Sequence, residues 1–424
     1  MALQQTRGPM PWLTGRTLAW AGFDVMSSVY IGIVPNVFFP IYFQRFVANN
    51  SSSTAAWGLL VTVSIIISGV AALGAAALAA HVSRFRLIIV FMTGLVVSLV
   101  FLALQLSFSI WIVSAAFVVA QSCYFAATTN YESYLPEIAP AGTMGRVSGF
   151  GWSIGYLGGV AGTIILIVAL GHWREDARIF HATFAIVAML TLLLAIPVFI
   201  AMSCKGFASL RHPLAKPDWI GISLVLRHWR EHKPIFVLLF GTMLIHSATT
   251  VVVSFTAPLL QRNFGQSYKD LLWLLLFLQL LSMPTTYISS MLSDRWSNYK
   301  PIMLVLSGWG VVLLLLAFAT GGWMPWIIIA VLACCLGATN AALRGFLAEA
   351  VLPSQSTTFF GISTFVGRIS SALGPLLFVV ISKAAGERIA LLATVAILIF
   401  GGAILWGYLR GGWNTAFRSG VEVP

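Results

Sequence analysis

The stretch DVMSSVYIGIVPNVFFPIYFQR, residues 24–45, carries a row of polar, small and helix-breaking residues at a spacing of four. The row consists of Asp24, Ser28, Gly32, Asn36 and Pro40. A second row begins 218 positions later and consists of Thr242, His246, Thr250, Ser254 and Pro258. Residues four apart lie near one another on a helix, and polar groups that face hydrocarbon are costly.

The two matching rows indicate a chain made of two repeated halves with a shared polar interior, which is the plan of a transporter. From these rows we predict that the cavity lining includes Asp24, Ser28, Asn36, His246 and Thr250. An alternative is that Ser and Thr only bond their own backbone carbonyls and that proline only kinks the helix.

The composition is that of an integral membrane protein. The 424 residues are 59% hydrophobic and 8% charged, with a mean hydropathy of +0.93, whereas soluble domains carry about 25% charged residues. The net charge of +12 lies in short loops, which points to membrane topology and not to a nucleic-acid partner. Four cysteines without CxxC spacing are predicted to be unpaired.

We predict an all-α membrane protein with twelve transmembrane helices in two six-helix halves. The halves are residues 1–203 and 235–424, joined by a cytoplasmic linker at 204–234. The predicted spans are 18–44, 57–79, 87–107, 109–131, 148–170, 180–203, 235–259, 271–292, 301–320, 325–348, 357–382 and 389–409. The linker is either a short amphipathic helix on the inner leaflet or an ordered connection with solvated charge.

The distribution of basic residues predicts the orientation. Of the 24 Lys and Arg residues, 16 fall on the side of the termini, 7 fall on the other side, and Arg368 falls inside a span. The positive-inside rule therefore places both termini in the cytoplasm.

The fifth predicted span begins with glycines at a spacing of four, Gly151, Gly155 and Gly159. Small residues at this spacing let helix backbones approach closely in lipid. A phosphate-binding loop is excluded, because no Lys-Ser or Lys-Thr follows and no strand precedes. Trp152 and Tyr156 lie one turn apart on this span and either line the cavity or pack against lipid.

Charged residues at the inner ends of the spans are predicted to gate the cytoplasmic side through salt bridges between the halves. The predicted gate consists of Glu132, Arg146, Asp294, Arg295, Arg344 and Glu349. The loop that holds Asp294 and Arg295 corresponds in the first half to residues 80–86, where the basic residues are kept and the acid is missing.

The Asp-Arg pair, followed by Lys300 at a tight cytoplasmic turn, resembles a recurring feature of the major facilitator superfamily. Three further blocks resemble the vacuolar amino-acid effluxer (autophagy-related) family and its bacterial relatives. The first consists of residues 20–24 with 38–43, the second of residues 145–149 with 155–159, and the third of residues 359–361 with 367–368 and 373–377. The resemblance implies the major facilitator fold and an amino-acid substrate. The chain departs from the family at Ser27-Ser28, where an Asn-Ser pair is common, and near His246, where an acid is common.

Three ionisable residues inside the spans are candidate functional groups. Asp24 and His246 could couple transport to a proton or cation, or they could be a helix cap and a packing residue. Arg368 stays charged, so it needs an anionic partner or a wet cavity. That partner is either an anionic substrate group or a static salt bridge with Asp24 or Glu349.

We predict a secondary transporter of a small, anionic or zwitterionic solute, in a bacterial cytoplasmic (inner) membrane, working by alternating access. The expected partners are the solute, the lipid bilayer and a coupling proton or cation. We expect a monomer with no nucleic-acid partner, no cofactor, no metal site and no enzymatic activity. The alternative is a non-transporting receptor or assembly scaffold with a transporter-like fold.

Overall fold

The computed structural model describes residues 12–48, 53–104, 109–140, 142–171, 177–210, 223, 225, 227–295 and 299–410. Within these residues the chain is helical and contains no β-strand. Most of the predicted amphipathic segment of the linker lies outside them, as do the side chains of Asn36, Asp294 and Arg295.

Twelve long helices account for most of the described chain. They are α1 (Gly15–Ile33), α2 (Ser53–Leu78), α3 (Arg84–Leu104), α4 (Ile110–Glu132), α5 (Met144–Gly171), α6 (Ala177–Cys204), α7 (Lys233–Phe264), α8 (Tyr268–Arg295), α9 (Tyr299–Phe318), α10 (Met324–Ala350), α11 (Ser356–Ala385) and α12 (Glu387–Arg410). Each predicted span after the first coincides with one of these helices, and the first span begins in α1 and continues beyond its end. Apart from the first span, the largest difference between a predicted and an observed end is five residues, at the end of α7.

Among the described residues, ten of these helices, all except α1 and α5, are long and apolar enough to cross a membrane. The outer surface fits hydrocarbon, because large apolar side chains such as Ile399 are exposed along it. Trp111 and Trp323 are strongly exposed near the first turns of α4 and α10. Exposed tryptophans at helix ends are typical of the membrane–water interface.

The first predicted span is not one regular helix. After α1, the chain forms a π-helical segment at Val34–Phe38, a short α-helical turn at Phe39–Tyr42 and a second π-helical segment at Phe43–Val47. Pro35 and Pro40 cannot donate backbone hydrogen bonds, which favours such irregular turns. Because π-turns bond to i+5, the four-residue row loses its alignment beyond Ile33. The matching helix α7 stays α-helical through Pro258.

The helices form an N-terminal group, α1–α6, and a C-terminal group, α7–α12. In the N-terminal group α1 packs on α5 and α6, α4 packs on α2 and α3, and α3 packs on α6. The C-terminal group repeats these pairs, with α7 on α11 and α12, α10 on α8 and α9, and α9 on α12. The pairs correspond at an offset of six helices, so the internal repeat of the sequence is also a repeat of packing.

The two groups meet along two seams. Helix α5 packs on α8 and α10, and α2 packs on α11. Close approach depends on small residues, since a Cβ built on Gly345 of α10 would lie 3.3 Å from Cα of Gly145 in α5. The close approach of α5 predicted from Gly151, Gly155 and Gly159 is confirmed on α1, since a Cβ built on Gly155 would lie 3.3 Å from the Asp24 carbonyl oxygen.

Candidate functional site

An ion pair between Asp24 of α1 and Arg344 of α10 joins the two groups. Arg344 Nη1 lies 3.3 Å from Asp24 Oδ1, and Nη2 lies 3.2 Å from Oδ2. The Arg344 side chain is 4% exposed and that of Asp24 is 14% exposed. A guanidinium that meets both carboxylate oxygens is held in a fixed orientation as well as attracted.

The rest of the guanidinium is held by Ser148 at the start of α5. Arg344 Nε donates to Ser148 Oγ at 2.9 Å, and Nη2 donates to the Ser148 carbonyl at 2.7 Å. The Ser148 hydroxyl in turn donates to the carbonyl of Ala341 on α10, at 2.7 Å. Ser148 therefore bonds both the backbone and the guanidinium of α10.

Residues at the end of α4 complete this arrangement. The Tyr131 hydroxyl donates to Asp24 Oδ2 at 2.9 Å, and Glu132 Oε1 lies 3.8 Å from Arg344 Nη1. We call Asp24, Tyr131, Glu132, Ser148 and Arg344 the Arg344 cluster. Three N-terminal helices and one C-terminal helix contribute to it, so separating the groups would break it.

Aromatic rings surround the Arg344 cluster. The Arg344 guanidinium carbon lies 4.7 Å from the ring centroid of Trp20 and 5.7 Å from that of Trp152. The Trp20 indole also donates to the Tyr131 carbonyl at 3.0 Å. Cation–π contacts of this kind favour a charged guanidinium inside a bundle.

Glycine makes room for the ion pair. A side chain at Gly151 of α5 would collide with Asp24 Oδ2 and would approach Arg344 Nη2 to 3.1 Å. The glycine spacing that the sequence displays therefore serves the ion pair as well as the packing of α5 on α1.

Further contacts between the groups lie at the same end of the bundle. The hydroxyls of Thr129 on α4 and Thr364 on α11 are 3.0 Å apart. Nearer the middle of the bundle, Ser153 of α5 donates to the carbonyl of Met283 on α8 at 2.7 Å. Polar contacts thus join the two groups at the end where α4 and α10 finish and α5 and α11 begin, and we call this end the closed end.

Arg368 of α11 lies along the same interface, farther from the closed end, and contacts helices of the N-terminal group. Its Nε donates to Ser68 Oγ on α2 at 3.0 Å, and its guanidinium carbon lies 4.0 Å from the ring centroid of Phe125 on α4. Tyr30 and Tyr124 are its other ionisable neighbours. In the described part of the chain no carboxylate lies within ion-pair distance of Arg368, and Asp24 pairs with Arg344 instead.

The remaining predicted cavity residues lie at different places. Tyr156 faces the Ser282 and Thr286 hydroxyls of α8, so it packs between the groups and not against lipid. Ser28 and Thr250 are half-buried. His246 is half-buried on α7, and no hydrogen bond or ion pair between described residues joins its ring to Asp24.

The remaining predicted gate residues are half-buried near the closed end. Arg146 lies in the first turn of α5. Glu349, in the last turn of α10, lines a narrow cleft with Gly145 and Ser289.

Sequence reasoning missed several partners that the structure supplies. Nothing in the sequence distinguishes Ser68, Tyr131 and Ser148 from the other serines and tyrosines of the spans. In the N-terminal group, Arg84 pairs with Glu137 at 2.5 Å and lies over the Tyr134 ring. The acid missing from residues 80–86 is therefore supplied by the connection between α4 and α5. The Leu-Pro-Glu motif of that connection is the sequence feature that could have indicated this partner.

Metal coordination has no candidate here: across the described ranges, no group of three or more His, Cys, Asp or Glu residues could hold an ion.

The family model described as the Major Facilitator Superfamily matches residues 151–375 and 239–417. An uncharacterized MFS-type transporter, YxiO of Bacillus subtilis (strain 168), is 21% identical over 418 residues, which cover 94% of this chain and 96% of YxiO.

Solved structures show the same fold. The proton:xylose symporter XylE matches with a TM-score of 0.70 at 13% identity, over 93% of this chain and 94% of XylE. The E. coli fucose:proton symporter FucP matches with a TM-score of 0.69 at 12% identity, over 93% of this chain and 97% of FucP. The human organic anion transporter MFSD10 matches with a TM-score of 0.65 at 12% identity, over 94% of this chain and 100% of MFSD10. This multi-pass membrane protein belongs to the Major Facilitator Superfamily.

Proposed function

We propose that the protein is a secondary active transporter that moves a small solute across the membrane by alternating access. In this proposal the N-terminal and C-terminal groups are two six-helix halves, residues 1–203 and 235–424, and residues 204–234 form the linker. The observation that carries the proposal is the Asp24–Arg344 ion pair, which joins the halves at one end of the bundle.

The ion pair has the properties of a latch that can open. Removing one partner of a buried ion pair costs about 3–5 kcal/mol, but the intact pair adds little net stability after its desolvation. Bonds to Ser148 and Tyr131 hold the latch in one geometry. When the halves separate at this end, water would solvate both charges, so the open state is accessible.

The orientation of the latch follows from the charge bias of the loops. With both termini in the cytoplasm, the latch closes the cytoplasmic side. The structure would then correspond to a state whose solute path leads to the opposite side. In this scheme, Glu132, Arg344 and Asp24 form the core of the cytoplasmic gate.

Asp24 and His246 are the proposed coupling residues. A proton on Asp24 would remove the negative charge that holds Arg344, so protonation and gate opening would be linked. His246 lies on the matching helix of the other half and would act separately, because no contact between described residues joins the two side chains. A cation bound at Asp24 in place of Arg344 would have the same effect.

The finer assignments rest on the sequence. A bacterial cytoplasmic membrane, a monomeric state and an amino-acid substrate are proposals, the last carried by the resemblance to the vacuolar amino-acid effluxer family. The solved neighbours do not distinguish among substrates, since two of them are sugar symporters and one is an organic anion transporter.

A reversible disulfide across the closed end tests the proposal. The Thr129 and Thr364 hydroxyls are 3.0 Å apart, so cysteines at both positions would need only a small shift to form a disulfide. The four native cysteines are first replaced by alanine. The double variant Thr129→Cys/Thr364→Cys is then assayed in proteoliposomes for exchange of a defined mixture of amino acids, monocarboxylates and sugars.

Oxidation should stop exchange in the double variant, and a reductant should restore it. The single variants Thr129→Cys and Thr364→Cys, oxidised in the same way, are matched controls and should keep exchanging. Equal exchange by the oxidised and reduced double variant would contradict alternating access. Absence of exchange in every reduced form would favour the receptor or scaffold alternative.

A further inference from the structure

Arg368 is a membrane-embedded cation without an anion among the described residues. Arg344, the other arginine of the interface, meets a carboxylate with two nitrogens and a serine with two more contacts. Among the described residues, Arg368 makes a single side-chain hydrogen bond, to a neutral serine. A charged guanidinium in this position requires compensation, because it cannot lose its proton at any accessible pH.

The contacts of Arg368 leave one edge of its guanidinium available. Ser68 takes Nε, and the Phe125 ring covers one face at 4.0 Å. No hydrogen bond to a described residue uses either Nη atom. Two adjacent N–H groups on a fixed plane match the two oxygens of a carboxylate.

The surroundings favour an organic ligand with one negative charge. The Phe125 ring lies 4.0 Å from the guanidinium carbon, and Tyr30 and Tyr124, whose ring centroids are 5.3 Å apart, are near enough to influence the charge of Arg368. The Tyr30 hydroxyl already donates to Gln121 at 2.9 Å. These rings can cover an apolar body beside the charged group. A dianionic phosphate would leave a net negative charge in this low-dielectric place, whereas a carboxylate would neutralise Arg368.

The Arg368 site, which consists of Tyr30, Ser68, Tyr124, Phe125 and Arg368, is divided between the groups. Arg368 belongs to α11, and the other four residues belong to α1, α2 and α4. A ligand held there would contact both halves, and its contacts would change when the halves move. This is the location that an alternating-access solute site requires.

We propose that Arg368 binds the carboxylate of an organic solute and that the Arg368 site is the solute site of the transporter. The assignment rests on the proposed transport function and adds the chemical class of the solute. A zwitterion such as an amino acid and a simple monocarboxylate share this carboxylate and are both within the class.

The test is counterflow into proteoliposomes from a defined mixture, with the internal contents identified by mass spectrometry. The mixture contains leucine, lactate, benzoate, benzamide, xylose, glucose 6-phosphate and putrescine. Benzamide is the neutral analogue of benzoate and has nearly the same shape. Wild-type protein should carry carboxylates and should discriminate benzamide from benzoate if benzoate is carried.

Arg368→Gln and Arg368→Lys should each lower the counterflow of the carried carboxylate by roughly 10- to 100-fold, as expected for loss of a bidentate charged contact. Ser68→Ala should lower it by a few fold, because only the hydroxyl that orients Nε is removed. Arg262→Gln is the matched control, since Arg262 pairs with Glu387 on an exposed surface. Its counterflow should equal that of wild type.

Size-exclusion elution and the melting temperature in detergent show whether each variant is folded, and Ser68→Ala keeps the test informative if the Arg368 variants do not fold. Wild-type counterflow confined to xylose, putrescine or glucose 6-phosphate would overturn the carboxylate assignment and leave transport itself intact. Normal carboxylate counterflow by Arg368→Gln would overturn the role of Arg368. No counterflow of any solute by wild-type protein would count against the transport function itself.

Discussion

Arg344 donates to the carboxylate of Asp24 and to both oxygens of Ser148, whereas Arg368 donates, among the described residues, only to the hydroxyl of Ser68. The two residues are chemically identical, so their neighbours decide their roles. A compensated arginine can hold two halves together. An arginine with no carboxylate partner among the described residues can attract an anion from outside the chain.

Asp24→Asn and His246→Ala should each abolish accumulation of solute driven by a gradient and should spare counterflow. Asparagine keeps the size of Asp24 and removes the charge that a proton would otherwise neutralise. The measurement compares accumulation under an imposed proton or sodium gradient with counterflow in the same proteoliposomes. Asp270→Asn is the control, because Asp270 is exposed in the first turn of α8. If accumulation survives both substitutions, coupling lies elsewhere in the protein.

At the scale of single elements, α5 carries the most information about function. Its glycine face lies against α1, and Ser148 at its start bonds the guanidinium of Arg344. Glycines therefore place the backbone of α5 close enough for polar groups of three helices to meet.

Gly151→Ala should destabilise the protein by about 1–3 kcal/mol, because the added methyl group would overlap the Asp24 carboxylate and approach the Trp20 ring to 3.0 Å. The melting temperature in detergent should fall accordingly. Gly310→Ala in α9 is the matched control, since nothing lies within 4 Å of the added carbon. That variant should be equally or slightly more stable. Equal melting temperatures for wild type and Gly151→Ala would show that α1 and α5 are less tightly packed than described.

At the scale of the whole molecule, the repeated packing makes the two groups comparable bodies that meet along two seams. The two seams correspond to each other in the repeat, since α2 matches α8 and α5 matches α11, so the contact of α5 with α8 repeats as the contact of α11 with α2. A rocking motion of one body about these seams would open one end of the bundle while closing the other.

Topology is the prediction that belongs to this scale. Cysteines introduced at Gly206 and at Ser419 should not react with a membrane-impermeant maleimide in intact cells and should react after permeabilisation. The reason is the excess of basic residues on the side of the termini. Ser53→Cys, at the start of α2 on the side expected outside, is the positive control. Efficient labelling of the Gly206 or Ser419 variant in intact cells would reverse the orientation and place the Arg344 latch on the outer side.

The sequence alone determined the helical class, the internal repeat and, beyond the irregular first span, the helix ends to within five residues, because these follow from apolar length and from residue spacing along one chain. It also selected Asp24 and Arg368 as ionisable residues inside the spans and Arg344 as a gate residue at an inner helix end. Only the tertiary structure decided which charges meet. Asp24 and Arg344 are 320 positions apart, and no local pattern states that α1 and α10 carry them to the same depth. Arg368 has no carboxylate partner in the described chain for the same reason. Its neighbours depend on how α11 packs against α2 and α4. That packing is decided by the fit of whole helices and not by the residues beside Arg368 in the sequence.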